Sequence, residues 1–575
     1  MQLVLGKESD FERDVAPLIV QRCLECHRSI DPSGGLDLAN YKTLMRGGDS
    51  GLAIDSTGES SLLLKRLVSG EMPPEKNGKS QALSELEMAV FQSWTASGAQ
   101  WPDGRVLDPF ERTTAKRAGR DWWVWQPIKR PLLGSISNSS NSIDQFIQQK
   151  LTEQQLNLAP PADRRTLLRR VTYDLIGLSP SADEVFDAIP QTDYYRIAAA
   201  FWGGPLVHRN REWNGGPTHE ELGYDVLGWT DLGREPSNLH LLKKGDIHRP
   251  MQVVAPGALS GSADLDRVFT ASPPEAKTAH RRLQLAQWIV DKRNPLTARV
   301  IVNRLWQHHF GEGLVRTPDN FGFLGNPPTH PELLDSLAAD LMAGDWKLKR
   351  MHKLMVMSHV YRQSSIHPLQ SEYVKKDTTN RFWWRGERRR LDAEQIRDSI
   401  LQCSGRLDLR MAGPSFLAPI SDEALEGLSM KSGAYKASSA DETRRRSIYM
   451  FSKRSLSVPM MAVFDSCDTT APTGRRDVST VAPQALTLLN NEWVHGESTI
   501  MAERVIASAP EINGRVVSAW KIVVARGPTD SEKQASIEFV QRFQASLANS
   551  TNVDLSAWSA FCHTLLNTNE FIYLD

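Results

Sequence analysis

Cysteine is scarce in this chain, with five in 575 residues. That excludes a disulfide framework of the kind that holds small secreted scaffolds together. An excess of one charge is missing too. Lys+Arg and Asp+Glu number 68 each, so no net field draws the chain to nucleic acid or to an anionic membrane. No apolar run reaches the roughly 18 residues of a membrane-spanning helix. No Gly-rich phosphate loop and no nucleophile elbow stands out. Met1 to Ser9 carries no charged segment followed by an apolar one, so no export signal is visible. With 40% hydrophobic and 24% charged residues the chain is of ordinary globular composition rather than disordered. Its length suggests about three to four domains.

What is present is concentrated near the start. Cys23-Leu24-Glu25-Cys26-His27 reads C-x-x-C-H, the attachment signature of a c-type haem. Two thiols three positions apart can both add to the vinyl groups of one porphyrin, and the next histidine can ligate the iron. C-x-x-C also occurs in zinc sites and in thioredoxin-like redox pairs. Zinc wants two further ligands nearby, yet Cys403, Cys467 and Cys562 are each alone. A redox pair wants a βαβ context that the flanks do not show. A second axial ligand is offered by Met72 in Gly70-Glu71-Met72-Pro73-Pro74, where two prolines stiffen the loop. The plainer reading of Met72 is core filler in a turn.

The surrounding pattern suits a small, cofactor-held domain. Asp10 caps a helix with Phe11, Val15, Leu18 and Ile19 on one side. Ser60 to Leu67 reads as a short helix. Ser84 to Ser97 reads as a longer one with Leu86, Val90, Phe91 and Trp94 at helical spacing, opened by the capping box Ser84-Glu85-Leu86-Glu87.

These features divide the chain into a cytochrome c-like haem domain (1–104), a linker with an aromatic cluster at Trp122 to Trp125 (105–141), a helical domain (142–190), an irregular Gly/Pro/Trp-rich region (191–277) and a mostly helical domain (278–575). The expected fold class is mainly α. In the second domain, Ser142 starts a helix with Ile143, Phe146, Ile147 and Leu151 on its apolar face. Arg164 to Leu178 is expected to bury Leu167, Leu168, Val171 and Leu175, and Ser181 to Ile189 forms a third helix. The tryptophans 202, 213 and 229 of the irregular region call for burial. Further on, Arg281 to Asp291 carries Leu283, Leu285, Ala286 and Ile289. Asn294-Pro295 opens a helix that ends at Gly311. Thr329-His330-Pro331-Glu332 reads as a capping box for Leu333 to Met342, Trp346 to Val360 as one amphipathic helix, and Thr529 to Glu532 as another box.

Other polar groups are weaker candidates. His308 and His309 diverge by about 100° on a helix and do not naturally chelate one metal. His352 and His359 could share a face, without an obvious third ligand. His330 fits a capping turn. Arg304, Arg316, Asp319 and Asn320 could line a cleft or form a buried ion-pair network. The runs Arg388 to Arg390 and Arg444 to Arg446 suit a solvated face or ion pairs with acids such as Asp392, Glu394, Asp441 and Glu442.

Cys23 to His27 with Met72-Pro73-Pro74 resembles the planctomycete-type cytochrome C domain. Trp122 to Leu178, with Asp163 to Arg170 and Asp174-Leu175-Ile176-Gly177-Leu178, resembles the domain of unknown function that usually follows it. Asn294-Pro295-Leu296-Thr297-Ala298-Arg299 through Tyr361-Arg362-Gln363-Ser364-Ser365, including Val315 to Gly322, resembles the second such domain. The resemblance implies an exported, haem-bearing multidomain protein and no known reaction. The chain departs from the pattern in lacking the signal peptide and in breaking off the first accompanying domain after about Ile189, where Tyr194-Tyr195-Arg196 follows almost at once.

The leading expectation is single-electron transfer through haem c, with Cys23 and Cys26 as tethers, His27 and Met72 as axial ligands, and a redox protein or small electron donor or acceptor as partner. No nucleic-acid partner is expected, and the location is periplasmic or otherwise exported. The alternatives are an oxidoreductase whose helical domains pass electrons to the haem, and a structural or interaction module.

Overall fold

The computed structural model describes residues 9–28, 32–55, 61–75, 80–108, 111–114, 119–131, 141–176, 239–242, 250–254, 281–322, 324–420, 435–452, 457–467, 474–547 and 552–575. The expected helix at Ser181 to Ile189 and the tryptophans 202, 213 and 229 lie outside them. The fold is mainly α. In chain order the described helices are α1 (Ala16–Arg22), α2 (Tyr41–Arg46), α3 (Leu62–Val68), α4 (Glu85–Ala96), α5 (Ser142–Glu153), α6 (Arg164–Ile176), α7 (Arg281–Ile289), α8 (Pro295–Phe310), α9 (Pro331–Ala343), α10 (Leu348–Val356), α11 (His359–Arg362), α12 (Gln370–Lys376), α13 (Ala393–Ser404), α14 (Pro459–Val463), α15 (Ala482–Asn490), α16 (Glu492–Ser508), α17 (Ile512–Val524), α18 (Asp530–Ser546), α19 (Val553–Leu566) and α20 (Asn569–Ile572). Two small antiparallel pairs are added: β1 (Leu239–Leu242) with β2 (Pro250–Val254), inside the stretch read as irregular, and β3 (Arg389–Arg390) with β4 (Tyr573–Leu574). The described residues fall into two compact units, one from Met1–Ile128, Asp231–Thr297 and Asn320–Pro327, the other from Lys129–Thr230, Ala298–Asp319 and Pro328–Asp575.

In the first unit, the Asp10 carboxylate accepts from the Arg13 N–H, as expected of a cap, and starts a π-helical turn over Phe11–Val15 that runs into α1. Phe11, Val15, Ile19 and Val20 are buried with Leu24, Leu44, Leu67, Phe91 and Trp94 in one core. The box at Ser84 is made in both directions, Ser84 to the Glu87 N–H and Glu87 to the Ser84 N–H. Leu86 is an error of the helical pattern: it is exposed, because the buried face of α4 runs through Phe91, Trp94 and Thr95. The chain stays on this core beyond Gly104. Leu107 is buried in it, and its N–H donates to the Ala39 carbonyl at 2.7 Å. Trp122 donates through Nε1 to the Phe321 carbonyl at 3.1 Å, and the Trp123 and Phe321 rings lie 5.5 Å apart. Among the described side chains of α7, Leu283, Ala286 and Ile289 of the expected face are exposed and Trp288 is buried.

In the second unit, α5 buries Ile143, Phe146, Ile147 and Leu151 as the pattern predicts. Helix α6 reverses its pattern. Arg169, Arg170, Thr172, Tyr173 and Asp174 are buried, whereas Leu167, Leu168, Val171 and Leu175 are half-buried. The polar face is held by carbonyls: Arg169 donates to Glu570, and Arg170 to Tyr361, Gln363 and Asp575. Asn294 Oδ1 accepts from the Leu296 N–H at 3.0 Å to open α8, which ends at Gly311 with φ +82°.

Two further expectations fail here for local reasons. The N-cap of α9 is His330, with no side-chain cap bond, and Thr329 uses its N–H and hydroxyl on the Leu314 carbonyl. Pro331 disfavours helical geometry at the residue before it, so the helix begins one residue later than a Thr329 box requires. The stretch Trp346 to Val360 is two helices, because Ser358 Oγ accepts from the Tyr361 N–H and starts α11 anew. The C-terminal helices α16 to α19, with α13, close the larger core around Ile400, Met501, Val523, Trp558 and Phe571. The arginine runs do form ion pairs, mostly with acids remote in sequence: Arg388 with Asp575, Arg389 with Asp174, Arg390 with Asp465, and Arg446 with Asp398. Of the acids named from sequence, Asp441 pairs with Arg444, and Glu394 with Arg476.

Candidate functional site

The C-x-x-C-H stretch continues α1 as a tight turn. The N–H groups of Cys26 and His27 both donate to the Cys23 carbonyl, at 3.1 and 3.0 Å. Leu24 between the thiols is fully buried and anchors the turn in the core. The chain then returns beneath it: Ser33 N–H donates to the Cys26 carbonyl and Leu38 N–H to the His27 carbonyl. A hairpin at residues 47–51 lies against this return strand, with Asp49 N–H on the Gly34 carbonyl at 2.8 Å. Gly48 makes that approach possible, since a Cβ there would stand 2.4 Å from the Gly34 oxygen and 2.9 Å from the Leu36 nitrogen.

These elements and the end of α3 enclose a cavity of about 670 Å³, lined by Cys23, Cys26, His27 and Met72 together. Leu36, Leu38, Leu62, Leu63 and Leu67 give it apolar walls, and Arg22, Arg66 and Glu87 reach its edge. Met72 is brought there by its N–H, which donates to the Arg66 carbonyl at 3.1 Å, and the Met72–Pro73 peptide is cis. The size is that of a cofactor or ligand site.

His27 Nδ1 lies 3.2 Å from the Leu36 carbonyl oxygen. A carbonyl only accepts, so Nδ1 is the protonated nitrogen and Nε2 keeps its lone pair. This is the arrangement that orients a metal-ligating imidazole. Burial pushes the Cys23 thiol up to about 12. It is a protonated thiol at neutral pH, the form whose S–H adds across a vinyl group. Among the described residues no group of three or more His, Cys, Asp or Glu could hold a metal ion, and no βαβ unit surrounds the cysteine pair. Two thiols, a tautomer-fixed imidazole and a thioether around one apolar cavity form a donor set that fits haem c.

The other polar candidates are rearranged. His352 does not meet His359. Instead His309 Nε2 and His352 Nδ1 share a hydrogen bond of 2.7 Å, and His359 faces Asp144 at 3.2 Å. Asp174 is the centre of this group. It accepts from the Tyr361 hydroxyl at 2.6 Å, lies 3.5 Å from His309 Nδ1 and pairs with Arg389, while its carbonyl meets His308 Nε2 at 2.6 Å. No sequence signal announced the group, because its members are scattered between positions 174 and 389. Arg304 is exposed, and Arg316 donates to the Thr379 carbonyl at 2.8 Å.

No helix among the described residues is long and apolar enough to cross a membrane. No curated protein and no solved structure matches the chain. Three families do match, in order along it. Residues 23–76 match Planctomycete cytochrome C. Residues 142–187 match a Protein of unknown function (DUF1549), and residues 281–540 a second (DUF1553). Along the chain, then, a segment similar to Planctomycete cytochrome C, which opens on the C-x-x-C-H stretch and its cavity, is followed by segments similar to both domains of unknown function.

Proposed function

We propose that the first unit binds one haem c and serves single-electron transfer with a redox protein or a small electron donor or acceptor. The observation that carries this reading is that Cys23, Cys26, His27 and Met72 line one cavity. Cys23 and Cys26 would hold the group through thioethers, and His27 Nε2 and the Met72 thioether would be its axial ligands. When bound, haem supplies a one-electron couple, and a His/Met pair places it toward high potential. The chain's own part is to keep His27 in one tautomer through Leu36, to exclude water with the leucine walls, and to hold Met72 against the end of α3. A thioether-linked haem is attached outside the cytoplasm, so the proposal includes an exported location.

The test is expression behind an export signal with haem c maturation, followed by a pyridine haemochrome spectrum. The wild type is expected to show thioether-linked haem, and Cys23→Ala a shifted band from a single linkage. Met72→Ala should keep covalent haem in that assay and, in the absorption spectrum of the native protein without pyridine, lose low-spin six-coordinate character. A wild type without covalent haem would refute the reading, whereas a Met72→Ala variant that stays low-spin removes the distal assignment alone.

A further inference from the structure

The cavity behind Cys23 to His27 has one cation with donors to spare. Among its described lining residues only Arg22 and Arg66 carry a guanidinium. Arg22 is occupied, with Nε and Nη2 both donating to the Glu87 carboxylate. Arg66 is not. Its Nη2 donates to the Ser50 hydroxyl at 2.9 Å, and its Nε stands 3.7 Å from a Glu71 oxygen, beyond hydrogen-bond reach. Nε and Nη1 have no hydrogen-bond partner among the described residues, and they are not sealed: the side chain is 37% exposed.

This guanidinium sits where two walls of the cavity meet. Arg66 lies in the last turn of α3, and its own carbonyl accepts from the Met72 N–H at 3.1 Å. Ser50 belongs to the 47–51 hairpin, which lies against the strand of Leu36, whose carbonyl orients His27. The Arg66–Ser50 bond therefore joins the His27 side of the cavity to the Met72 side. A haem c is tethered along one edge and carries its propionates along the opposite one. Arg22 adjoins Cys23 and so stands at the tethered edge. Propionates bring negative charge into a partly desolvated cleft, which is costly without a counter-charge, and the lining residues Glu25 and Glu75 repel them. A free guanidinium N–H gives a carboxylate a charge-assisted bond. Beside it, Ser50 Oγ accepts from Arg66 and keeps its own hydrogen to donate.

We propose that Arg66, with the Ser50 hydroxyl, binds a haem propionate and so ties the cofactor to the loop that presents Met72. This rests on the haem reading above. The test uses the full chain matured with haem c. A pyridine haemochrome spectrum comes first: a wild type without covalent haem refutes the haem reading and the contact together. The resonance Raman propionate bending mode, whose frequency falls as the carboxylate loses hydrogen bonds, then reads the contact itself. Arg66→Gln is expected to lower it, Ser50→Ala to lower it less, and Arg66→Lys to recover part of the loss. Added imidazole, which competes with Met72 for the iron, should bind Arg66→Gln about tenfold more tightly than the wild type. If Arg66→Gln takes up no haem, Ser50→Ala and Arg66→Lys carry the same comparison. A haem-loaded wild type whose propionate mode is unmoved by these substitutions overturns the contact and leaves the haem reading standing. A lowered mode with unchanged imidazole affinity overturns the tie to Met72.

Discussion

Glu87 grips the Arg22 guanidinium with both carboxylate oxygens, at 3.0 and 3.1 Å, while one of those oxygens accepts from the Ser84 N–H at 2.8 Å. One side chain thus joins the last turn of α1, next to Cys23, to the first turn of α4. Glu87→Ala removes a helix cap and a half-buried bidentate pair together. The expected loss is about 1–2 kcal/mol for the first unit, and Glu87→Gln, which keeps an acceptor for the Ser84 N–H, should lose less. Amide hydrogen exchange of α4 measures it; unchanged protection in Glu87→Ala would contradict the coupling.

Gly48 provides a sharper test of how the cavity is held. Gly48→Ala sets a methyl group against the Gly34 carbonyl and must push the 47–51 hairpin off the strand that carries Leu36. Both stability and haem loading should fall, by more than the few tenths of a kcal/mol typical of a surface substitution. Covalent haem per chain, compared with the wild type, reads the effect. Loading equal to that of the wild type would rule out a role for the hairpin.

Acid should loosen the second unit early. Burial holds His309 and His330 well below the usual imidazole value of 6.5, at about 3 each. The unfolded chain takes up these protons near 6.5, so their contribution to stability is complete above that pH. Between about 6.5 and 3 the unfolded state binds more protons, and stability falls with falling pH at about 1.4 kcal/mol per unit for each group. His330→Gln should lower the slope of stability against pH by about one proton in that window. Urea midpoints from neutral pH down to about 5 check this, and an unchanged slope would show that His330 does not titrate as its burial requires.

The buried arginine of α6 is expected to be costly to remove. Arg170→Ala strips donors from the carbonyls of Tyr361, Gln363 and Asp575 and leaves a void beside Tyr361. A loss of about 3 kcal/mol or more follows from orphaned acceptors and lost packing. Arg164→Ala, at an exposed position on the same helix, should change stability by less than about 0.5 kcal/mol. Comparable losses in both variants, read by thermal unfolding, would count against the carbonyl network.

What was legible from sequence is what depends on neighbours in sequence. The capping boxes at Ser84 and Thr529, the Asp10 cap and the Asn294-Pro295 start all form, because each needs only three or four consecutive residues. The apolar face of α5 was readable for the same reason. Helix α6 was misread because its burial is decided by carbonyls from positions 361, 363, 570 and 575, which no local periodicity encodes. The attachment motif was visible as a string, but the Leu36 carbonyl that fixes the His27 tautomer was not, since backbone oxygens have no residue signature.

Asp174 bears on how substitutions in the second unit will combine. Tyr361, His309 and Arg389 converge on its single carboxylate, and His308 meets its carbonyl. Four side chains from three elements therefore answer to one residue, and once that residue is gone the others have little left to lose. Their individual effects should not sum: a double-mutant cycle between Tyr361→Phe and Asp174→Asn should show a coupling of about 0.5–3 kcal/mol. Sequence drift at this cluster is thus constrained as a set, so that a change tolerated at one of these positions alters what the remaining ones can accept.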